Sequence, residues 1–381
     1  MASPELEGAS RMAEEAEEIK RSDSTEKKMK KKQKKRSKRG FYGVPKFGCF
    51  GIKSESDGKG NLDMEVEERF RRRTPTHLVI MVNGLIGSSQ NWKFAAKQFL
   101  KKYPDDVVVH CSESNYSTLT FDGVDVMGER LAEEVISVVK RHPGVQKISF
   151  IGHSLGGLIA RYAIARLYAQ EITREPSQNM VISLDLAGVC VYQVPVFCGF
   201  YTLEKVASRT SWFLGKTGRH LFLTDGDNGK PPLLLWMASD TENLKFISAL
   251  RSFRRRVAYA NVRFDHLVGW STSSLRRRNE LPKLKRLSQD ERYPHIVNVE
   301  TARASPEEEA PIEAKVNGGK NIDMEEEMLK GLTKLSWERI DVSFSGSRQR
   351  YLAHTTIQVK GSWINSDGAD VIQHMVDNFL L

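Results

Sequence analysis

The segment ISFIGHSLGGLIARYAIARLYA, residues 148–169, constrains the fold more than any other part of the chain. A β-branched and aromatic run ends in Gly-His-Ser-Leu-Gly-Gly, and an alanine-rich apolar stretch follows at once. This order predicts a strand, a sharp turn and a helix. Such a turn needs small residues two positions before and two positions after Ser154, and glycine stands at both. The alternative interpretation is an ordinary strand–helix turn.

Strand and helix patterns alternate along the rest of the chain. Short, β-rich apolar runs predict strands at 77–84, 106–111, 145–152, 254–264 and 337–344. Apolar residues at helical spacing predict helices at 91–103, 123–144 and 369–381. Strands that alternate with helices are typical of a mostly parallel sheet, so the sequence predicts an α/β fold with helices on both faces of the sheet.

The first forty residues differ in composition from the rest of the chain. They carry 13 Lys and Arg against 8 Asp and Glu, with the positive charge concentrated between Lys27 and Arg39. Because almost nothing apolar lies nearby, we expect residues 1–72 to form a disordered basic tail before a domain at 73–381. The basic run has three interpretations: a solvated tail, a nuclear localisation signal, or a contact with acidic membrane surfaces.

Targeting features and cysteine usage suggest a compartment. The sequence has no secretory signal pattern and no run of eighteen apolar residues that would predict a membrane-spanning helix. Its four cysteines form no Cys-x-x-Cys pair, which argues against a disulfide framework or a zinc site. We therefore expect a cytoplasmic protein, with a nuclear or peripheral membrane location as alternatives. We expect no nucleic acid partner.

Ser154 is the predicted nucleophile, and it needs an acid and a base from later in the chain. A serine hydroxyl reacts only after a base takes its proton, and in a fold of this type the acid precedes the histidine. Asp265 comes directly after the predicted strand 254–264 and is the favoured acid. Asp185 is its rival, but it lies in an apolar run close after Ser154.

The histidine should lie between the last strand and the last helix. His354 meets this condition. The rivals are His266, which is adjacent to Asp265, and His374, which lies inside the closing helix. The sequence favours His354.

Two backbone amides are predicted to bind the oxyanion that forms during acyl transfer. The first belongs to Leu155, at the start of the helix that follows the nucleophile. The second belongs to Leu85, which follows the glycine at the end of the strand 77–84. Gly84 allows the backbone to approach a substrate closely.

Several long blocks of the sequence resemble one family. HLVIMVNGLIGSSQNW, FIGHSLGGLIARYAIARLY, TGRHLFLTD, PPLLLWMASD, ALRSFRRRVAYANVRFDHLVGWSTSSLRR and AHTTIQVK are similar to the plant branch of the lipase-like serine esterases. The resemblance covers residues 74–381. It implies an α/β-hydrolase fold and hydrolysis of esters or acyl lipids by a serine triad, with no cofactor and no metal.

Three segments are interpreted separately. Residues 179–200 depart from the family, because the Thr-Pro-His-x-Gly block that usually follows the nucleophile helix is missing. An apolar, aromatic insertion at about 190–245 is predicted to be either a lipid-facing lid or a helical cap over the core. An acidic stretch at about 300–330 is predicted to be a disordered surface loop.

Together these patterns predict a serine hydrolase that cleaves carboxylic esters, with acyl lipids as the favoured substrates. Ser154 would attack the carbonyl, His354 would act as the base and Asp265 would orient it. Two alternatives stay open: acyl transfer by the same nucleophile, and a non-catalytic small-molecule-binding protein derived from a hydrolase.

Overall fold

The computed structural model describes residues 51–56, 62–67, 71–170, 183–187, 214–227, 229–284, 287–288, 290–304, 324–361 and 363–381. The strands in these ranges are β1 (Ile52–Ser56), β2 (Leu62–Val66), β3 (His77–Val82), β4 (Val107–Cys111), β5 (Lys147–His153), β6 (Ser183–Ala187), β7 (Arg255–Asn261), β8 (Ile296–Ala302) and β9 (Trp337–Val342). The α-helices are α1 (Lys93–Lys102), α2 (Val124–Arg141), α3 (Leu155–Ala169), α4 (Gly215–Leu221), α5 (Leu233–Trp236), α6 (Phe246–Arg251), α7 (Trp270–Ser273), α8 (Met324–Thr333), α9 (Ala353–Thr356) and α10 (Ala369–Asp377). None of these helices is long and apolar enough to cross a membrane.

All described strands belong to one sheet, in the order β1-β2-β4-β3-β5-β6-β7-β9-β8. The run from β4 to β9 is parallel, and antiparallel pairs flank it at both edges. The predicted mostly parallel sheet is therefore confirmed. The strand order reverses at β3, which lies between β4 and β5. In open α/β sheets, ligands bind beyond the carboxyl ends of the strands at such a switch point.

Alternating side chains of the central strands feed two separate cores. Leu78 and Ile80 of β3 pack on one face of the sheet, in a buried cluster with α2, α3 and α6. Val79 and Met81 pack on the other face, with α1 and α10. Because a strand has a side-chain period of two, a fully apolar strand such as β3 can supply both cores, which places it in the middle of the sheet.

The edges of the fold differ from the sequence prediction. β1 and β2 lie within residues 1–72, which the sequence predicts as tail, and β2 pairs with β4. β8 and α8 occupy both ends of the predicted loop 300–330, whose part at 305–323 lies outside the described residues. The described part of the predicted insertion 190–245 contains α4 and α5, which contribute Leu221, Leu234 and Leu235 to the core. Residues 190–213 and residue 228 of that insertion lie outside the described residues, as does the basic run Lys27–Arg39.

A buried histidine connects β2 to the body of the sheet. His110 Nδ1 contacts Asp63 of β2, and its Nε2 lies 3.0 Å from Glu134 Oε1 of α2. Arg141 donates to the second oxygen of Asp63, and Ser112 donates to the second oxygen of Glu134. These two carboxylates raise the pKa of His110 to about 9 although its burial opposes the charge. The cluster therefore holds an imidazolium between two carboxylates.

We expect the folded state to lose stability at alkaline pH through this cluster. Because the folded pKa of His110 lies above that of an unfolded histidine, its contribution is complete below about pH 6.5 and is lost as pH rises through about 9. The protonation of His110 contributes about 3 kcal/mol at most to the free energy of unfolding. Urea unfolding at pH 7 and pH 9.5 should show a smaller pH effect in His110→Gln than in the wild type, whereas exposed His266→Gln should behave like the wild type. Equal pH dependence in all three proteins would contradict the expectation.

Candidate active site

Ser154 lies at the turn between β5 and α3 in a strained backbone conformation. Its φ is 55° and its ψ is −124°. L-residues rarely adopt such angles, and holding one there costs on the order of 1–3 kcal/mol, so the surrounding packing must enforce the turn. The turn lifts the side chain above the carboxyl end of β5, where it is partly exposed.

The glycines around Ser154 are required by close backbone packing. A Cβ on Gly152 would lie 2.7 Å from the amide nitrogen of Gly157. A Cβ on Gly156 would lie 2.3 Å from the carbonyl oxygen of Val82, at the end of β3. Neither position can hold a side chain without backbone movement, which is the physical reason for the Gly-x-Ser-x-Gly spacing.

The loop after β3 packs directly against the nucleophile turn. A Cβ on Gly84 would lie 2.9 Å from the carbonyl oxygen of His153 and 3.1 Å from Ser154 Cβ. The amide of Ile86 donates to Thr120 Oγ1 at 3.1 Å. The amide of Leu85 has no hydrogen-bond acceptor among the described residues.

The amide of Leu155 directly follows Ser154 in the chain. Leu155 is the first residue of α3, and first-turn amides of a helix lack an intrahelical acceptor. The partial positive charge of a helix N-terminus favours an anion at this point. Leu85 follows the glycine that packs on the nucleophile turn, and Leu155 follows Ser154 in the chain, so both amides stay candidates for oxyanion donors.

Asp265 lies in the loop after β7, where four hydrogen bonds hold its carboxylate. Oδ2 is 3.1 Å from His354 Nδ1 and accepts from Asn261 Nδ2 at 2.9 Å. Oδ1 accepts from the amides of Leu267 and Val268 at 3.0 and 2.9 Å. Burial alone would raise the pKa of Asp265, but His354 and these donors lower it to about 2. The group is therefore ionised at neutral pH.

His354 lies on α9, after the last parallel strand and before α10. Because the ionised Asp265 can only accept, Nδ1 of His354 carries the proton in this contact. In the neutral ring, Nε2 is then the free basic nitrogen. No hydrogen bond joins Ser154 Oγ to His354 among the described residues. Catalytic hydrogen bonds are often long in unliganded enzymes and shorten when substrate binds.

The rival residues occupy different environments. His266 is exposed to solvent beside Asp265. His374 is buried in α10, where its Nδ1 lies 2.8 Å from the hydroxyl of Tyr259 and burial lowers its pKa. Asp185 belongs to β6 and pairs with Ile151 in the ladder.

His153 is a site residue that the sequence analysis did not identify. Its Nε2 lies 2.6 Å from the carbonyl oxygen of His354, and the two rings are 4.8 Å apart. Burial and the neighbouring His354 lower the pKa of His153 to about 3. It is therefore a neutral donor that holds the backbone of α9, the short helix that carries His354. The only sequence signal was its place beside Ser154.

We expect His153→Ala to lower kcat for ester hydrolysis with little change in KM. Loss of one buried donor to the His354 carbonyl leaves α9 less well positioned. We expect this to lower kcat by about ten- to a hundredfold. His153→Gln retains an N–H donor and should recover part of the rate. Steady-state kinetics together with thermal melting separates this effect from unfolding. A stable His153→Ala protein with an unchanged kcat would rule out the positioning role.

A second group missed by the sequence analysis supports the acid loop. Asp341 of β9 is fully buried and accepts from Trp270 Nε1 at 2.7 Å and from Arg276 at 2.8 Å. Trp270 begins α7, the helix that follows the Asp265 loop, so this contact ties that loop to the sheet. Asn298 Nδ2 of β8 donates to the other oxygen of Asp341 at 2.8 Å.

Comparison with known proteins identifies the family. Residues 72–275, more than half of the chain, match the family described as "Putative serine esterase (DUF676)". The chain belongs to this serine esterase family. The resemblance predicted from the sequence is thus confirmed, and the sheet with its strand–serine–helix turn is an α/β-hydrolase fold.

The chain is also similar to curated yeast proteins. The chain is 33% identical over 210 residues to "Putative lipase ROG1" of Saccharomyces cerevisiae, covering 52% of this chain and 28% of that protein. It is 30% identical over 208 residues to "Putative lipase YDL109C" of the same yeast, covering 52% of this chain and 30% of that protein. The chain therefore spans less than a third of either relative. Among solved structures, an α/β-hydrolase superfamily protein from Enterococcus faecalis aligns with a TM-score of 0.36 and 13% identity, covering 59% of this chain and 84% of that one.

Proposed function

We propose that this serine esterase family member hydrolyses carboxylic esters with Ser154 as nucleophile, His354 as base and Asp265 as the acid that orients the base. The strained turn at Ser154 carries the proposal. Backbone strain persists only where packing enforces it, and it is concentrated at functional sites. The Asp265–His354 contact is consistent with the base and acid assigned here.

In this mechanism, Nε2 of His354 takes the Ser154 proton as Oγ forms a bond to the ester carbonyl carbon. The carbonyl oxygen becomes an oxyanion, which the amides of Leu85 and Leu155 would stabilise. When the tetrahedral intermediate collapses, the bond to the leaving alcohol breaks and His354 gives the proton to that alcohol. Water then repeats the sequence on the acyl-enzyme and releases the acid.

Acyl lipids or other hydrophobic acyl esters are the proposed substrates. Two observations support this class. The yeast relatives carry the name lipase, and residues 188–213, between the nucleophile and the acid, are rich in apolar and aromatic residues. Apolar and aromatic side chains are the kind that bind hydrophobic ligands.

Labelling with a fluorophosphonate probe tests the nucleophile directly. The probe phosphonylates an activated serine, so the wild type should be labelled at Ser154 and Ser154→Ala should not. A panel of acyl esters of increasing chain length then tests the substrate class, with faster turnover expected for longer chains. Labelling without hydrolysis, but with transfer of the acyl group to an added alcohol, would favour acyl transfer. Absence of both labelling and turnover would favour a binding protein without catalysis.

We expect removal of residues 1–40 to leave catalysis unchanged. The polybasic run Lys27–Arg39 has almost no apolar residues that could pack in a core. We propose that it binds the protein to acidic membrane surfaces. Esterase kinetics and thermal melting of the truncated protein should match those of the full chain within about twofold, the range of changes far from a site. Unfolding of the truncated protein would contradict this expectation.

A further inference from the structure

Large apolar side chains are exposed around α9, the short helix that carries His354. Trp363 is 89% exposed and Ile364 is 53% exposed, in the turn that follows α9. Tyr351 is 61% exposed and Leu352 is also exposed, in the turn that precedes α9. Leu267 is exposed beside Asp265. We refer to these five residues as the rim. Single exposed apolar residues are common, but a group of them at one end of a fold indicates a binding surface.

Hydrogen bonds hold the backbone around Trp363 in place, so the exposure of the Trp363 side chain is a property of the folded turn. Asn365 donates to Thr355 and Thr356 of α9 at 3.2 and 3.1 Å. The Asn365 side chain also accepts from the amide of Gly361 at 3.0 Å, and its own amide donates to the Gly361 carbonyl at 2.7 Å. The turn therefore presents Trp363 and Ile364 outward from a fixed base next to His354.

The other side of the rim is connected to the acid loop. Phe264, which precedes Asp265, packs edge-on against Tyr351 with ring centroids 5.5 Å apart. The guanidinium of Arg350 lies over both rings, 5.8 and 4.9 Å from their centroids. Tyr351 and Leu267 thus belong to the two loops that meet at the Asp265–His354 contact.

Positive charges border the rim. Arg263, Arg348 and Lys360 are exposed and adjoin it in the chain. Neither these three residues nor Arg350 has an ion-pair partner among the described residues. Two carboxylates lie near the same loops: Asp265, which is held by four hydrogen bonds, and Asp367, which accepts from Ser347. Because four cationic side chains stand against these two carboxylates, the border carries an excess of positive charge around the apolar centre.

We propose that the rim docks on the surface of a membrane that contains anionic phospholipids, with Trp363 and Ile364 entering the interfacial layer. Tryptophan is enriched at membrane–water interfaces, and exposed Lys and Arg residues are attracted to anionic headgroups. Five side chains form a small contact compared with the roughly 20–30 residues per partner of a stable protein complex. A fluid bilayer accepts such a small apolar contact because it needs no matching surface.

Docking through the rim would bring the mouth of the site to the lipid surface. The Asp265–His354 contact lies where the two loops that carry Tyr351 and Leu267 of the rim meet. An acyl ester could then pass from the bilayer to Ser154 without crossing bulk water. This consequence rests on the proposed ester hydrolysis, whereas the docking itself does not.

Vesicle sedimentation tests the docking independently of catalysis. The full chain with Ser154→Ala is mixed with phosphatidylcholine vesicles that either contain or lack phosphatidylserine. The double substitution Trp363→Ser/Ile364→Ser should weaken binding to both kinds of vesicle by about tenfold or more, because two large side chains no longer leave water. Arg348→Gln/Lys360→Gln should weaken binding only to the vesicles that contain phosphatidylserine.

The matched control is Trp236→Ser/Val299→Ser, which removes two exposed apolar side chains from α5 and β8. The control should bind like its parent, and the polybasic run is the same in every variant. Equal binding by the control and the rim variant would overturn the proposal. Self-association that the rim variant loses in sedimentation velocity would also overturn it, because the rim would then be an interface between two copies.

Activity on a water-soluble short-chain ester separates the two proposals. With Ser154 intact, Trp363→Ser/Ile364→Ser should hydrolyse that ester like the wild type but lose most of its activity on a vesicle-borne ester. If no variant hydrolyses any ester, the proposed reaction fails while the sedimentation result still decides the docking.

Discussion

Replacing Ser154 with alanine is expected to abolish ester hydrolysis, with kcat falling on the order of 10⁶-fold. The substitution removes one oxygen from a partly exposed turn, so the fold and its melting temperature should change little. The remaining rate would come from binding and the two backbone amides alone. Equal esterase activity in the wild type and Ser154→Ala would disprove the assignment of the nucleophile.

Ser154→Gly is a matched control for the strained backbone. Alanine keeps the Cβ that makes a φ of 55° unfavourable, whereas glycine adopts this angle readily. Ser154→Gly should therefore be as inactive as Ser154→Ala but more stable by about 1 kcal/mol, measured by urea unfolding. Such a result would show that the chain tolerates strain at this turn in order to hold the hydroxyl in place. A glycine variant no more stable than the alanine variant would argue against stored strain.

The apolar pattern of β3 and the glycine spacing around Ser154 predicted the centre of the fold. Both depend on neighbouring residues and hardly on partners that are distant in the chain. β3 is apolar on both faces, so its sequence alone identifies a central strand. The turn at Ser154 is also local, since Gly152 packs against the backbone of Gly157 only five residues away. The glycine spacing of the Gly-x-Ser-x-Gly motif is therefore a direct consequence of that contact.

The edge strands could not be predicted in the same way. β1 and β2 read IKSES and LDMEV, which are too polar for a buried-strand pattern. β2 is instead stabilised by pairing with β4 and by the contact of Asp63 with His110, 47 positions along the chain. The short strand β6 lies in the segment that departs from the family, where no pattern predicted a strand end.

Within the candidate site, chain order led to the proposed nucleophile, base and acid but not to the residues that hold them in place. A serine in this turn implies a later acid and histidine, and the order of strands limited the choice to a few positions. His153 and Asp341 carry no such signal, because a buried polar residue is recognised only by its partner. The partner of His153 is a backbone carbonyl 201 positions away.

His354→Ala is expected to lower kcat nearly as far as Ser154→Ala, by several orders of magnitude, because the two residues act as one unit. For the same reason, the double variant should be no slower than either single variant. The ionised carboxylate of Asp265 fixes the proton on Nδ1 of His354, so Asp265→Asn should lose about 10⁴-fold by favouring the wrong tautomer.

The rival histidines supply the decisive comparison for this assignment. His266 is exposed and should be dispensable, so His266→Ala should retain most of the wild-type rate. His374 bonds to Tyr259 inside α10, so His374→Ala should lower the melting temperature while retaining most of the kcat at a temperature where the chain is folded. A carboxylate can orient only one imidazole at a time, and the one within 3.1 Å of Asp265 is His354. Normal hydrolysis by His354→Ala, or a loss of activity confined to His266→Ala, would therefore show that another residue is the base.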